Sequence, residues 1–208
     1  MLFEDRRDAG KKLAKELSKY KGDAEVVVVG LARGGVVVAA EVAKSLSLPL
    51  DLVVIRKIRA PNNEELALGA IAEEGKGVMN DHLVSLLGVS KDYLRKEVEK
   101  ERDILKKRKE VYLKGRTAPA LEGKTVILVD DGIATGASMK VAIASMRGQR
   151  AGKVILAVPV AAPESIEEMK VDEAVCLSVP VLFQAVGKFY KDFSPVMDEE
   201  IINLLESV

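Results

Sequence analysis

The sequence predicts an α/β protein, a Rossmann-like, mostly parallel sheet flanked by helices and folded as one domain over residues 1–208. Three observations predict it. Short, wholly apolar, β-branched runs occur at residues 26–29, 126–129 and 154–158, as expected of strands buried on both faces. A glycine-containing turn follows each of the first two runs, at Gly30-Leu31-Ala32-Arg33-Gly34-Gly35 and at Asp131-Gly132-Ile133-Ala134-Thr135-Gly136. A helical run follows each turn, so the connections are crossovers and the strands lie parallel.

In chain order, residues 5–20 carry Ala9, Leu13, Leu17 and Tyr20 at helical spacing and predict an amphipathic helix. Residues 26–29 are the first strand, 36–46 a helix ended before Pro49, and 52–55 the second strand. Arg56, Lys57 and Arg59 come off that strand end, and residues 60–65 have the composition of a loop. Residues 69–72 and 78–80 read as a short hairpin, and 81–87 as a short helix. Ser90 caps a long helix over 91–113 with Leu94, Val98, Leu105 and Tyr112 on one stripe. From Lys91 to Arg116 eleven Lys/Arg face six Asp/Glu, which reads as a solvated helix laced with ion pairs. After the 126–129 strand come a helix over 139–146, a strand over 154–158, a helix over 164–169 and a last strand over 174–177. That strand holds Cys176 as a small buried hydrophobe.

Ligand belongs at the carboxyl ends of such strands, and both glycine turns fall there. In the second, Asp130 and Asp131 close the strand, and Gly132, Thr135, Gly136 and Ser138 lead into a helix. Free N–H groups at a helix start hold phosphate, and Thr135 and Ser138 add hydroxyl donors. The carboxylates repel phosphate but accept from the hydroxyls of a ribose. In the first turn, glycines admit a ligand to the backbone and Arg33 offers a planar fork for anionic oxygens. Neither turn is a P-loop, since Ala137 follows Gly136 and Val36 stands in the lysine position of the first turn.

Residues 125–138 resemble the phosphoribosyl-diphosphate (PRPP) signature of the type I phosphoribosyltransferases, and the overall sequence resembles a group within them whose base is unassigned. The resemblance implies that Asp130 and Asp131 take the ribose hydroxyls. It implies that Gly132, Ile133, Ala134, Thr135, Gly136, Ala137 and Ser138 form the 5′-phosphate loop. Ala32, Arg33, Gly34 and Gly35 resemble the pyrophosphate loop, with Lys57 neutralising the leaving group. Residues 57–116 then hold a flexible lid with a helical insertion, and about 180–198 form a small C-terminal hood. Phe183, Phe189 and Tyr190 in that hood suit stacking on a planar base. Asp192 resembles a hood aspartate that contacts a second magnesium, the rest of the Mg²⁺ coordination coming from PRPP. Hypoxanthine and guanine enzymes carry an aspartate where this chain has Ala134, which disfavours 6-oxopurines and leaves the lid carboxylates Glu64 and Glu65 as proton-transfer candidates.

The expected activity is Mg²⁺-dependent transfer of phosphoribosyl from PRPP to a nucleobase-like acceptor. The rival is a PRPP- or nucleotide-sensing regulator on the same fold. A net formal charge of zero argues against a dedicated nucleic-acid binder, and the single His82 and Cys176 exclude most His/Cys zinc sites. One cysteine and no long apolar run predict a cytoplasmic protein without a membrane span. Relatives of this kind commonly form homodimers, and one is expected here.

Overall fold

The computed structural model describes residues 2–61, 63–75 and 77–208; the side chains of Glu64 and Glu65 also lie outside the described residues. The order is α1 (Arg6–Glu16), β1 (Val26–Leu31), α2 (Gly34–Leu46), β2 (Leu50–Val53), β3 (Ile55–Ala60), β4 (Asn63–Ala72), β5 (Val78–Met79), α3 (Asp81–Leu86) and α4 (Lys91–Leu113). It continues with β6 (Thr125–Val129), α5 (Ala137–Gly148), β7 (Lys153–Val160), α6 (Pro163–Glu167), β8 (Glu173–Ser178) and α7 (Asp198–Glu206).

Five strands form an all-parallel sheet in the order β2-β1-β6-β7-β8. Side chains alternate across it. Val26 and Val28 of β1, Ile127 and Val129 of β6, and Ile155 and Ala157 of β7 join the core under α1, α2 and α7. Val27 and Val29, Val126 and Leu128, and Val154 and Leu156 join the core under α5 on the other face. A strand flanked by core on both faces carries no polar alternation, which is why these runs read as continuous hydrophobes. Counting only this sheet, the strand order is 2-1-3-4-5, and the chain reverses direction across the sheet between β1 and β6. Loops leaving the carboxyl ends of those two neighbours diverge and leave a crevice. Gly30 pairs with Val129 at its rim, so the two glycine turns start side by side.

The stretch expected as strand end and loop folds differently. Arg56, Lys57 and Arg59 lie on β3, and β3-β4-β5 form a separate antiparallel sheet that includes Asn63 and the backbone of Glu64 and Glu65. Ile58, Leu68 and Ile71 are fully buried there because α4 covers that face with Leu94, Val98, Leu105 and Tyr112. Nor is α4 a merely solvated helix. Its Glu101, 1% exposed, pairs with Arg56. Its Lys109 reaches Asp51 of β2 at 3.3 Å and Glu73 at 2.9 Å, both carboxylates being buried. Burial disfavours the Lys109 ammonium, but the facing Asp51 and Glu73 more than offset it and raise its pKa. Among the described residues no helix is long and apolar enough to cross a membrane.

Candidate functional site

At the crevice, the first turn packs directly on the acidic pair. A Cβ on Gly35 would stand 2.8 Å from the Asp130 Cα and Oδ1 and from the Val129 carbonyl, and one on Gly34 would overlap Asp131 Oδ2. Only glycine permits that approach. The Ala32–Arg33 peptide within this turn is cis.

Asp130 is held by the backbone. Its Oδ1 accepts from the Asp131 N–H at 2.8 Å, and the residue lines a cavity of about 180 Å³ formed with residues 132–139 and Val186. Asp131 turns instead to Arg6 of α1, whose Nε donates to its Oδ2 at 2.7 Å. Burial pushes both carboxyls up. For Asp130 the neighbouring Asp131 charge adds to the rise, whereas at Asp131 the Arg6 hydrogen bond works against it. Two buried carboxylates side by side cannot both ionise cheaply, so Arg6 places the charge on Asp131.

The second turn ends at Gly136, whose φ of +71° is a left-handed conformation that suits glycine, and α5 begins at once. The Ala134 carbonyl is taken by the Ser165 hydroxyl at 2.5 Å, and Ile133 is tied to Val160 and Ala162 by backbone bonds at 2.9 Å. The loop is thereby fixed from behind, leaving the first N–H groups of α5, without intrahelical partners, at its front. Across it lies a larger cavity of about 490 Å³, lined by Leu31, Ala32, Lys57, Asn80, Thr135, Ala137, Ser138 and Lys140 among others. Thus Lys57 on β3 faces the hydroxyls of the second turn and the backbone of the first across one space.

The remaining expected residues are less uniformly placed. Arg33 is 45% exposed and stands 3.7 Å from Asp198 of α7, which also accepts from Tyr112 at 2.8 Å. Phe183 and Phe189 stack on one another at 5.6 Å and line neither cavity. Tyr190, expected to stack on a base, is 6% exposed and lies between Phe3 and Phe193, and its hydroxyl donates to the Asp131 carbonyl at 2.5 Å. Tyr190 supports the acidic pair from beneath. The side chains of Glu64 and Glu65 fall outside the described residues. Asp192 is exposed and accepts from the Ser194 N–H at 2.9 Å and from its hydroxyl at 2.5 Å, which lowers its pKa. Among the described residues no group of three or more His, Cys, Asp or Glu could hold a metal ion. Arg6 escaped the sequence reading because it looks like an ordinary solvent-facing residue at a helix start. Asp198 escaped it too, although Asp198-Glu199-Glu200 before Ile201, Leu204 and Leu205 is a legible helix start.

A phosphoribosyl transferase domain model matches residues 3–191. Two curated Mycobacterium tuberculosis proteins, Rv0571c of strain H37Rv and MT0597 of strain CDC 1551, are provisionally named phosphoribosyl transferases. Each is 44% identical over 209 residues, covering 99% of this chain. The chain spans about half of their length, 46%. Among solved structures, TT1426 from Thermus thermophilus superposes with a TM-score of 0.83 at 46% identity, covering 100% of this chain and 99% of that one. A Neisseria gonorrhoeae protein crystallised with bound ppGpp shares the fold, with a TM-score of 0.53 at 14% identity over 100% of this chain and 94% of its own. The matched segment contains both glycine turns, the acidic pair and the antiparallel sheet. The chain belongs to the phosphoribosyl transferase domain family and has the type I phosphoribosyltransferase fold.

Proposed function

We propose that the protein transfers the 5-phosphoribosyl group of PRPP to a nitrogenous base and releases pyrophosphate. The observation that carries this reading is the packing of Gly34 and Gly35 on Asp130 and Asp131 at the β1–β6 switch. That packing brings the first glycine turn and the acidic pair to the same crevice as the loop that starts α5.

In this reading the N–H groups at the start of α5, with Thr135 and Ser138, bind the 5′-phosphate. Asp130 and Asp131 orient the ribose through its hydroxyls and do not attack it. The backbone of residues 32–35 and the Lys57 ammonium take the pyrophosphate, and Arg33 joins them by leaving its long contact with Asp198. As the C1–O bond to pyrophosphate breaks, positive charge develops on the ribose ring and negative charge on the leaving group, and the fixed cations and N–H dipoles stabilise the second. Mg²⁺ carried by PRPP would add to the neutralisation that Lys57 and the backbone of residues 32–35 provide to the diphosphate. Because Arg6 confines the charge of the acidic pair, the crevice repels PRPP less than two free carboxylates would. The base enters from the Val186 side of the 180 Å³ cavity, beneath residues 180–198. Ala134 provides no side chain to handle a base proton, which favours acceptors other than 6-oxopurines.

The test is pyrophosphate release from PRPP and Mg²⁺ across a panel of adenine, uracil, hypoxanthine, guanine and non-canonical bases. Release with at least one base, abolished by Asp130→Asn/Asp131→Asn, is expected. Saturable PRPP binding with no release across the panel would overturn transfer in favour of a sensing role.

A further inference from the structure

We infer that Arg6 is a positioning residue for PRPP, acting through the Asp131 carboxylate; the inference rests on the phosphoribosyl-transfer reading. Arg6 is the first residue of α1, 125 positions from Asp131. It is brought there by backbone lacing between the segment before α1 and the segment before α7. The Phe3 N–H donates to the Phe189 carbonyl at 2.8 Å, Lys191 to Phe3 at 2.9 Å, and Asp192 to Glu4 at 2.9 Å. Asp5 then caps α1 by accepting from Asp8 at 2.8 Å, which fixes where the helix starts and where Arg6 points.

Three independent restraints hold the guanidinium. Nε donates to Asp131 Oδ2, Nη1 donates to the Ser194 carbonyl at 2.9 Å, and the flat face lies 3.9 Å over the Phe193 ring. Arg6 and Asp131 side chains are only 11% and 14% exposed, so this is not a solvent-screened surface pair. The same guanidinium also abuts the first turn, since a Cβ on Gly34 would stand 2.9 Å from Arg6 Nε. One side chain thus touches the acidic pair, the pyrophosphate turn and the hood. Ser194 lies beyond the segment that the family model matches, so its hold on Arg6 belongs to this chain's own C-terminal part.

A carboxylate has about four lone-pair positions. With Oδ2 tied to Arg6, Asp131 keeps Oδ1 for a ribose hydroxyl, in a fixed orientation and with its charge retained. Displacing Arg6 would expose a buried charge without a partner, so binding proceeds with the pair intact. Loss of the guanidinium both frees the carboxylate to rotate and adds a net negative charge to a site that takes a polyanion. Lysine restores the charge but, as a point donor, cannot serve Asp131 and Ser194 as a planar fork does.

The experiment compares wild type, Arg6→Lys and Arg6→Gln for PRPP and base KM, kcat, calorimetric PRPP–Mg²⁺ binding and thermal unfolding. Arg6→Gln is expected to raise the PRPP KM and Kd at least tenfold with the base KM within twofold, and Arg6→Lys to fall between it and wild type. In an Asp131→Asn background, Arg6→Gln should add less than threefold. PRPP affinity within twofold of wild type, or tighter, in folded Arg6→Gln overturns the inference, as does equal loss of PRPP and base affinity in step with lowered thermal stability. A wild type that neither binds nor turns over PRPP overturns the proposed function and this inference with it. A wild type that binds PRPP no better than Arg6→Gln overturns the inference alone.

Discussion

Lys109→Met should destabilise the fold by about 3–5 kcal/mol, the cost of leaving buried charge unpaired. Lys109 is 16% exposed and faces Asp51 at 3.3 Å and Glu73 at 2.9 Å, whose side chains are 3% and 6% exposed. Methionine preserves the length of the stem, so little packing is lost and the change is chiefly electrostatic. For a chain of this size each kcal/mol moves the midpoint by roughly 2–4 °C, so thermal unfolding should shift down by roughly 6–20 °C. Adding Asp51→Asn and Glu73→Gln removes the orphaned carboxylates and should recover most of that shift. The wild-type ion cluster also has a signed pH dependence. The raised Lys109 pKa means its contribution is fully present below the ordinary lysine value of 10.5 and is lost as pH rises through the higher folded value. Scanning calorimetry of the three proteins at neutral pH checks the magnitude, and wild type above pH 10.5 checks the sign. A shift under about 1 kcal/mol in Lys109→Met, or no recovery in the triple variant, would refute the view that this cluster latches α4 to β2 and to the turn after β4.

Gly35→Ala should cost at least tenfold in PRPP affinity measured by calorimetry, because the added Cβ meets the Asp130 Cα and the Val129 carbonyl at 2.8 Å. Retained affinity there would separate the first turn from the acidic pair. Glu173 accepts from Lys19 at 2.7 Å, Tyr20 at 2.8 Å and Lys153 at 3.1 Å, which together hold its carboxyl at about 2. A depressed carboxylate stabilises above its unfolded value of 4.5 and loses that contribution as pH falls toward 2. Urea unfolding should therefore show Glu173→Gln less stable than wild type by about 1 kcal/mol near pH 7, after discount for solvent screening, with the two curves converging near pH 2.

The central strands were legible because burial on both faces writes itself into consecutive residues: Val26 to Val29 and Val126 to Val129 have no other use for four branched hydrophobes. The acidic pair and Gly136 were legible for a related reason, since local backbone geometry dictates both. The antiparallel sheet was not. Arg56, Lys57 and Arg59 look like residues leaving a strand. Only α4 supplies the Glu101 that neutralises Arg56, 45 positions away in the chain, and the apolar stripe that buries Ile58. Arg6, Tyr190 and Ser194 were illegible in the same way. Their importance is a set of contacts with Asp131 and with one another across distant parts of the chain, and no local period or composition records it. For Tyr190 the sequence shows an aromatic cluster, but not that its ring packs on Phe3 and its hydroxyl on the Asp131 carbonyl.

The most direct measurement is calorimetric titration of PRPP with Mg²⁺ into the wild-type chain and into Asp130→Asn/Asp131→Asn. One saturable site per chain in the wild type, weakened at least a hundredfold in the double variant while its thermal unfolding remains cooperative, is the predicted result. Equal binding by both proteins, or no uptake by the folded wild type at millimolar PRPP, would contradict it.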